Sequence, residues 1–182
     1  FVVGYDFVSS KRALELAEKH ENVYAIIGMH PSDAEKWNVE FEEFLTNNLP
    51  NKKVLALGEI GLDYHYENFS KQTQKQVFIK QLEIANKLGV PIVIHERDAV
   101  GDVVDILRQN KHLINNGGVV HCFNESVETY KIYKGFGLKF SFGGAITFKN
   151  SKNAPKLLAE VDVKDILLET DCPYLTHEPL SG

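Results

Sequence analysis

The chain has 182 residues, 43% hydrophobic and 25% charged, a composition that suits a globular domain with one substantial core. No apolar stretch approaches the roughly 20 residues that a transmembrane helix needs. The formal net charge of −5 argues against a large basic surface for nucleic acid, although bound cations would compensate a phosphodiester locally. Residues 1–182 contain no linker, short repeat or low-complexity segment, so we expect a single domain. Since Phe1 already lies inside an apolar run, we expect this domain to be truncated at both ends.

Short apolar runs rich in β-branched and aromatic residues alternate with amphipathic stretches of helical period along the chain. The apolar runs predict strands near 1–5, 23–28, 54–58, 91–95, 117–122, 138–142 and 166–169. The amphipathic stretches predict helices over 10–20, 71–88, 99–111, 126–135 and 153–160. Serines are the predicted helix caps, namely Ser9 or Ser10, Ser32, Ser70 and Ser126. Strands and helices in this alternating order predict a parallel sheet.

Four of the predicted strands run into a residue that can ligate a metal ion: Glu59, His95, His121 and Asp171. An apolar run that ends on His or a carboxylate is costly unless that group is paired or bound. In an eight-stranded α/β barrel the carboxyl ends of the strands build the active site. A doubly wound open sheet would accept seven strands, but its ligands collect at one switch point. The spread of ligands over four strands therefore predicts a TIM-type (β/α)8 barrel whose first strand precedes Phe1.

Two imidazoles at equivalent strand ends favour Zn²⁺ or a similar cation, which binds neutral imidazole well. A single histidine in such a position is more often a satisfied core residue, but His95 and His121 repeat the arrangement one strand–helix unit apart. Glu59 lies between Gly58 and Gly61, whose backbones permit a sharp turn and a close approach to a ligand. Two interpretations of Glu59 stay open at this point: a carboxylate that bridges two metal ions, or one that caps the next turn or pairs with an arginine.

The segment LLETDC places Glu169 and Asp171 on the same face of a strand. Asp171 can ligate a metal ion and accept a proton from a bound water. Glu169 lies one layer deeper, and we expect it to orient a ligand from the second shell of the site. Cys122 and Cys172 each follow a candidate ligand. We expect both cysteines to be small buried residues in a reducing compartment, which favours a cytoplasmic location.

Residues just beyond the strand ends are candidate substrate contacts. His30 is either a loop histidine or a substrate contact or outer-shell donor, because Pro31 turns the chain directly after it. His65 and Arg97 could hold a phosphate, Arg97 through its planar guanidinium, and Asp63 belongs to the same rim. The sequence has no GxSxG elbow, no phosphate-binding GxxxxGK[ST] loop and no GxGxxG after a strand. These absences leave a metal centre as the favoured chemistry.

Six segments carry a resemblance to a known family: GMHP, GEIGLDY, PIVIHERDA, GGVVHCF, SFGGAITF and LLETDCPYL, in this order. Together they resemble the successive signatures of the TatD family of metal-dependent hydrolases. The resemblance implies a TIM-type barrel of the amidohydrolase kind, Mg²⁺-dependent deoxyribonuclease activity and two divalent ions at the carboxyl ends of the strands. It also implies that the HxH motif of the family's first strand and the family's C-terminal helices are missing from residues 1–182.

Matched motif by motif, Glu59 resembles the carboxylate that bridges the two ions. His95 and His121 resemble the ligands of one ion, and Asp171 resembles both a ligand of the other ion and the proton acceptor. The resemblance thus makes Asp171 and Glu59 the predicted catalytic residues. His30 matches a recurrent position of the family, and so does Arg97.

We therefore expect a deoxyribonuclease that uses two divalent ions (Mg²⁺, Mn²⁺ or Zn²⁺) to cleave phosphodiester bonds in single-stranded DNA or at strand ends. We expect no membrane association and no obligate protein partner. Two alternatives remain open. One is an amide or ester hydrolase, since related barrels with similar metal centres cut C–N bonds. The other is a metal-binding or phosphate-binding module without turnover.

Overall fold

The computed structural model describes residues 1–172, in which strands and helices alternate as predicted. These residues belong to two compact units, which divide after Gly118. The first unit contains β1 (Val2–Gly4), α1 (Phe7–Lys19), β2 (Ala25–Ile27), α2 (Val39–Asn48), β3 (Val54–Asp63), α3 (Lys71–Leu88), β4 (Ile92–Arg97) and α4 (Val100–Gln109). β5 (Gly118–Val120) begins on the last residue of this unit. The second unit continues with α5 (Val127–Gly135), β6 (Leu138–Phe142), α6 (Ala154–Glu160) and β7 (Ile166–Leu168).

The strands of the first unit form a parallel sheet in which β1, β2, β3 and β4 pair in chain order. Parallel strands are covered on both faces, which explains why their side chains are apolar almost without alternation. The fully buried strand residues include Ile27, Leu57, Ile60, Leu62 and Ile94. α3 contributes the apolar face that its sequence predicted, with Val77, Phe78, Leu82 and Ala85 buried. This core fixes the strands from which the candidate ligands project.

Two of the predicted helix caps are confirmed and two are wrong. Ser70 caps α3 and Ser126 caps α5, each by accepting a hydrogen bond from the backbone three residues on. α1 starts earlier than predicted because Asp6 is its cap: Ser9 donates its backbone N–H to Asp6, and the Ser9 hydroxyl accepts the N–H of Asp6 in return. The short 3₁₀ helix Pro31–Lys36 is capped by His30 and not by Ser32.

The second unit has a parallel β6–β7 pair and an aromatic core. Phe140 is at its centre, with ring centroids 4.8 Å from both Phe123 and Tyr130. The predicted burial of the cysteines is wrong, because Cys122 is half-buried and Cys172 is exposed. Both lie in connecting chain after a strand rather than inside one. Residues 173–182 lie outside the described part, so the single domain over 1–182 stays a prediction.

All seven predicted strands are present in residues 1–172, but β3 and β4 are longer than predicted. Glu59 and His95 therefore lie within their strands and not at the ends. His121 directly follows β5, and Asp171 lies beyond the end of β7. α2 was not predicted. Within the described residues, no helix combines the length and the apolar character needed to cross a membrane.

Candidate metal centre

Three side chains of the first unit converge in a group that could hold a metal ion. His30, Glu59 and His95 each offer one donor atom, and these atoms all lie within 4.8 Å of one another. All three residues are half-buried. They come from neighbouring elements of the sheet, since Glu59 is in β3, His95 is in β4 and His30 follows β2. Two imidazoles and a carboxylate form a donor set that suits Zn²⁺ and similar divalent cations.

The pairing of β3 with β4 directs Glu59 toward this group. The register of this strand pair shifts between Gly58 and Ile60, on either side of Glu59. An irregularity of this kind changes the direction of a strand side chain. Beyond it, Gly61 pairs with His95 in regular register. The glycines that the sequence placed around Glu59 therefore stand where the strand is irregular and where it approaches β4 closely.

His95 is oriented by Asp63, the last residue of β3. The Nε2 atom of His95 lies 3.0 Å from Oδ2 of Asp63, whose side chain is only 5% exposed. When Nε2–H donates to this carboxylate, Nδ1 of the neutral imidazole carries the lone pair that a cation would use. Pairs of this kind fix the ring orientation and raise the basicity of a ligating histidine. The sequence had placed Asp63 on the substrate rim, and the structure makes it the partner of His95.

Asp63 is ionised in a buried position because its partners compensate its desolvation. Burial alone would raise its pKa, but hydrogen bonds from His95 and from the backbone N–H of His65 lower it. The positive charge of Arg97 acts in the same direction, and the pKa of Asp63 is held below its usual value of 3.8. A charged carboxylate behind His95 is thus a built-in feature of the site.

His30 is held from both sides of its ring. Its Nδ1 atom lies 2.7 Å from the hydroxyl of Ser32 and accepts the Ser32 backbone N–H at 3.2 Å. The ring also meets that of His95 edge-on, with the centroids 4.2 Å apart. Nε2 of His30 can ligate a cation only in the other tautomer, in which Nδ1–H donates to the Ser32 hydroxyl and no longer accepts the Ser32 N–H. The sequence left His30 as a loop residue or substrate contact, and the structure brings it beside two predicted ligands.

The second unit contains the other predicted ligands, His121 and Asp171. The Nδ1 atom of His121 lies 3.9 Å from a carboxylate oxygen of Glu169, which also accepts the Ser141 hydroxyl at 2.6 Å. The other Glu169 oxygen accepts the backbone N–H of Cys122 at 2.6 Å. Glu169 is therefore firmly placed next to His121. Asp171 is half-buried and has a φ of 50°, the left-handed region that Asp tolerates better than most residues.

The candidate phosphate contacts lie just after β3 and at the end of β4. The imidazole Nδ1 of His65 is 3.1 Å from Oδ2 of Asp98, and both side chains are largely exposed. The guanidinium of Arg97 lies over the ring of Tyr66, 5.7 Å from its centroid. Tyr66 is 53% exposed and also meets the His65 ring edge-on. The sequence analysis missed Tyr66, although the aromatic residue directly after His65 was a visible signal.

Two buried glutamines behind the site were also missed. Gln74 and Gln81 lie on the apolar face of α3, and each bonds the backbone of a residue next to the site. The signal in the sequence was a polar residue at two positions of an otherwise apolar helix face. Their partners, Asp63 and Met29, could not be read from that pattern.

Comparison with known proteins gives a consistent family match. A family model described as TatD related DNase matches residues 1–182. The uncharacterized metal-dependent hydrolase YabD of Bacillus subtilis is 40% identical over 181 residues, covering 100% of this chain and 71% of YabD. The uncharacterized metal-dependent hydrolase YcfH of Escherichia coli K12 is 36% identical over 169 residues. That alignment covers 92% of this chain, which spans only 62% of the length of YcfH.

Solved structures agree with the sequence comparison. The crystal structure of YjjV, a TatD homolog from Escherichia coli K12, matches 99% of this chain and 70% of its own with a TM-score of 0.91 and 29% identity. A TatD family hydrolase from Entamoeba histolytica matches with a TM-score of 0.81 and 27% identity, over 94% of this chain and 60% of its own. The predicted fold class, an α/β chain that forms part of a TIM-type barrel, is confirmed by these matches.

Proposed function

Because the chain belongs to the TatD family of metal-dependent hydrolases, we propose that the full-length protein is a deoxyribonuclease that hydrolyses phosphodiester bonds with divalent metal ions. The observation that carries the proposal is the convergence of His30, Glu59 and His95 within 4.8 Å. Two imidazoles and a carboxylate that offer donor atoms this close together form a ligand set that suits a divalent cation. The description of the matching family as TatD related DNase supports DNA as the substrate.

The proposed metal ligands are Glu59, His95, His121 and Asp171, taken from the family motifs, with His30 added from the geometry of the first unit. Two divalent ions, Mg²⁺, Mn²⁺ or Zn²⁺, would polarise the scissile phosphate and lower the pKa of the attacking water. Asp171 would accept the proton of that water. Glu59 would bind the metal ions through its carboxylate, and Asp63 and Glu169 would keep the imidazoles of His95 and His121 oriented.

The exposed residues around the first unit's cluster suit a nucleic-acid substrate. Single strands are bound by aromatic rings on which bases stack, next to cations that contact the backbone. Tyr66 offers such a ring at 53% exposure, and the Arg97 guanidinium lies over it. Arg97 and His65 are the proposed phosphate contacts. This small platform fits single-stranded DNA or a strand end, and the net charge of −5 fits a short contact with nucleic acid.

The test uses the full-length protein, labelled single-stranded DNA and Mg²⁺ or Mn²⁺. Glu59→Gln and Asp171→Asn are the test variants, and Glu43→Gln, an exposed carboxylate on α2, is the matched control. We expect both test variants to lose at least about 100-fold in kcat/KM, because a ligand or the proton acceptor is lost. The control should cleave as the wild type does. Cleavage that survives both test substitutions would contradict this mechanism.

A substrate panel separates the nuclease from its rivals. Phosphodiesters, lactones and acyl-amides are compared at equal concentration with the same metal-loaded protein. Activation of water by metal ions is common to both chemistries, so only the substrate preference separates them. Preference for the carbonyl substrates would favour an amide or ester hydrolase. Metal analysis separates the third alternative: two ions per chain support catalysis, whereas one ion without turnover supports a binding module.

A further inference from the structure

Helix α3 contacts the backbone behind the candidate metal centre through two buried glutamines. The Gln81 side chain accepts the N–H of Met29 at 2.8 Å and donates to the Met29 carbonyl at 3.0 Å. Gln74 makes the same pair of bonds to Asp63, accepting its N–H at 2.9 Å and donating to its carbonyl at 2.9 Å. Gln81 is 0% exposed and Gln74 is 2% exposed.

Each pair of bonds restrains both the position and the rotation of the contacted residue. A primary amide that bonds the N–H and the C=O of one residue imitates the pairing of a neighbouring strand. Met29 directly precedes His30, and Asp63 holds the ring of His95. The two glutamines stand seven residues apart, or two turns, on one face of the same rigid helix. One helix is thus bonded to the chain beside both histidines of the cluster.

Packing alone does not explain why residues 74 and 81 of α3 are glutamines. Apolar residues fill the rest of this face, and a buried amide costs free energy unless all of its polar atoms are bonded. We propose that Gln74 and Gln81 are positioning residues, through which α3 sets the separation of His30 and His95 for a metal ion. The proposal rests on the proposed metal-dependent function and adds a device that tunes the affinity of the first unit's cluster.

The test measures metal affinity and ring geometry in the full-length protein. Gln81→Met and Gln74→Met keep the approximate volume and remove both hydrogen bonds. We expect each to weaken Co²⁺ and Zn²⁺ binding about 10-fold in chelator competition, as outer-shell substitutions typically do. The visible spectrum of bound Co²⁺ should change as well. In the metal-free protein, the imidazole NMR signals of His30 should shift in the Gln81 variant, and those of His95 in the Gln74 variant.

Two controls separate positioning from loss of stability. Gln76→Met makes the same change on the exposed face of α3, and Val77→Ala weakens the packing of the buried face without touching these bonds. Both should retain wild-type metal affinity and imidazole signals. If Val77→Ala weakens metal binding as much as the glutamine variants, or if those variants bind Co²⁺ with wild-type affinity and spectrum, the positioning role is wrong.

The proposed function can fail without deciding this inference. If the wild-type protein binds divalent ions but does not cleave DNA, the nuclease proposal fails and the affinity measurements still test the glutamines. If it binds no divalent ion, the metal-dependent function is wrong, and the imidazole signals of the metal-free variants decide the positioning role. Unchanged signals in that case would overturn it.

Discussion

The Nε2 atom of His95 lies 3.0 Å from the carboxylate of Asp63, across the β3–β4 pair and next to the cluster formed with His30 and Glu59. We expect Asp63→Asn to weaken divalent-metal binding about 10- to 100-fold, because the neutral amide no longer raises the basicity of the His95 ring. Metal affinity measured by chelator competition checks this expectation. The substitution preserves the size of the side chain, so the fold should be retained.

The control for this prediction is Asp98→Asn. Asp98 makes an analogous contact to an imidazole, 3.1 Å from His65, but both side chains are largely exposed. Its φ of 55° is a conformation that Asn also adopts. We expect metal affinity within about twofold of the wild type, since an exposed pair contributes little. Equal losses in the two variants would show that the charge near the rim matters and the specific bond to His95 does not.

Two glycines of the first unit, Gly61 and Gly101, should change the free energy of unfolding in opposite directions when each is replaced by alanine. Gly61 has a φ of 141°, and a Cβ there would overlap the carbonyl oxygen of His95. We expect Gly61→Ala to lower the free energy of unfolding by about 2–4 kcal/mol and to weaken metal binding, because β4 must move. Gly101, in α4, has open space around the equivalent position. Gly101→Ala should raise stability by about 0.5–1 kcal/mol.

Urea unfolding of both glycine variants, with a chelator present, gives the two free energies on one scale. Metal affinity of the folded variants is then measured separately. A Gly61→Ala protein as stable as the wild type would show that the β3–β4 contact accommodates a methyl group. That result would remove the close approach of the strands as the reason for glycine at this position.

Lys53 binds the backbone that follows α1, and we expect it to affect the stability of the fold but not the affinity for metal ions. Its ammonium donates to the carbonyls of His20 and Glu21 at 2.8 Å and of Val23 at 3.1 Å. We expect Lys53→Met to lower the free energy of unfolding by about 1–3 kcal/mol, because carbonyls lose a charged donor. Lys52→Met, the exposed neighbour, should stay within about 0.5 kcal/mol of the wild type. Metal affinity should be unchanged in both; a loss in Lys53→Met would link this corner to the site.

The sequence predicted the strands and drew attention to candidate ligands because both signals are local. Seven apolar runs became seven strands in residues 1–172, and Glu59 and His95 were recognisable as polar residues at the ends of such runs. The pairing of Asp63 with His95 was not predictable, since it spans 32 residues and depends on β3 continuing to Asp63. The sequence pattern predicts the end of this strand at residue 58, because Gly58 and Gly61 weaken a strand pattern.

The contact between Gln81 and Met29 is a second example of a contact that the sequence does not predict. The two residues are 52 positions apart, and only the folded strands and helix bring them together. A glutamine on an apolar helix face indicates a buried polar partner but does not identify it. The helix start at Asp6 was missed for a local reason, since a capping box contains two residues that can each act as the cap.

Acid should destabilise the second unit through Asp165. This residue is 4% exposed, and its carboxylate lies 2.8 Å from the ammonium of Lys134 and 2.6 Å from that of Lys139. Hydrogen bonds from Lys134 and then Lys139 lower the pKa of Asp165 from 3.8 to about 2. A carboxylate whose pKa is lower in the folded protein than in the unfolded chain stabilises the folded state when it is ionised. This contribution is complete at pH values above the pKa of the unfolded chain. That stabilisation is lost as the pH falls from about 4 to about 2.

We expect Asp165→Asn to lower the free energy of unfolding at pH 7 by about 1–3 kcal/mol, because it removes the carboxylate charge that faces the ammonium groups of Lys134 and Lys139. Between pH 4 and pH 2 the variant should lose less stability than the wild type, since the titrating group is gone. Urea unfolding at several pH values, with a chelator present, measures both effects. Asp105→Asn, an exposed carboxylate of α4, is the control and should leave the pH profile unchanged. Parallel acid profiles for Asp165→Asn and the wild type would show that Asp165 is not responsible for the acid sensitivity.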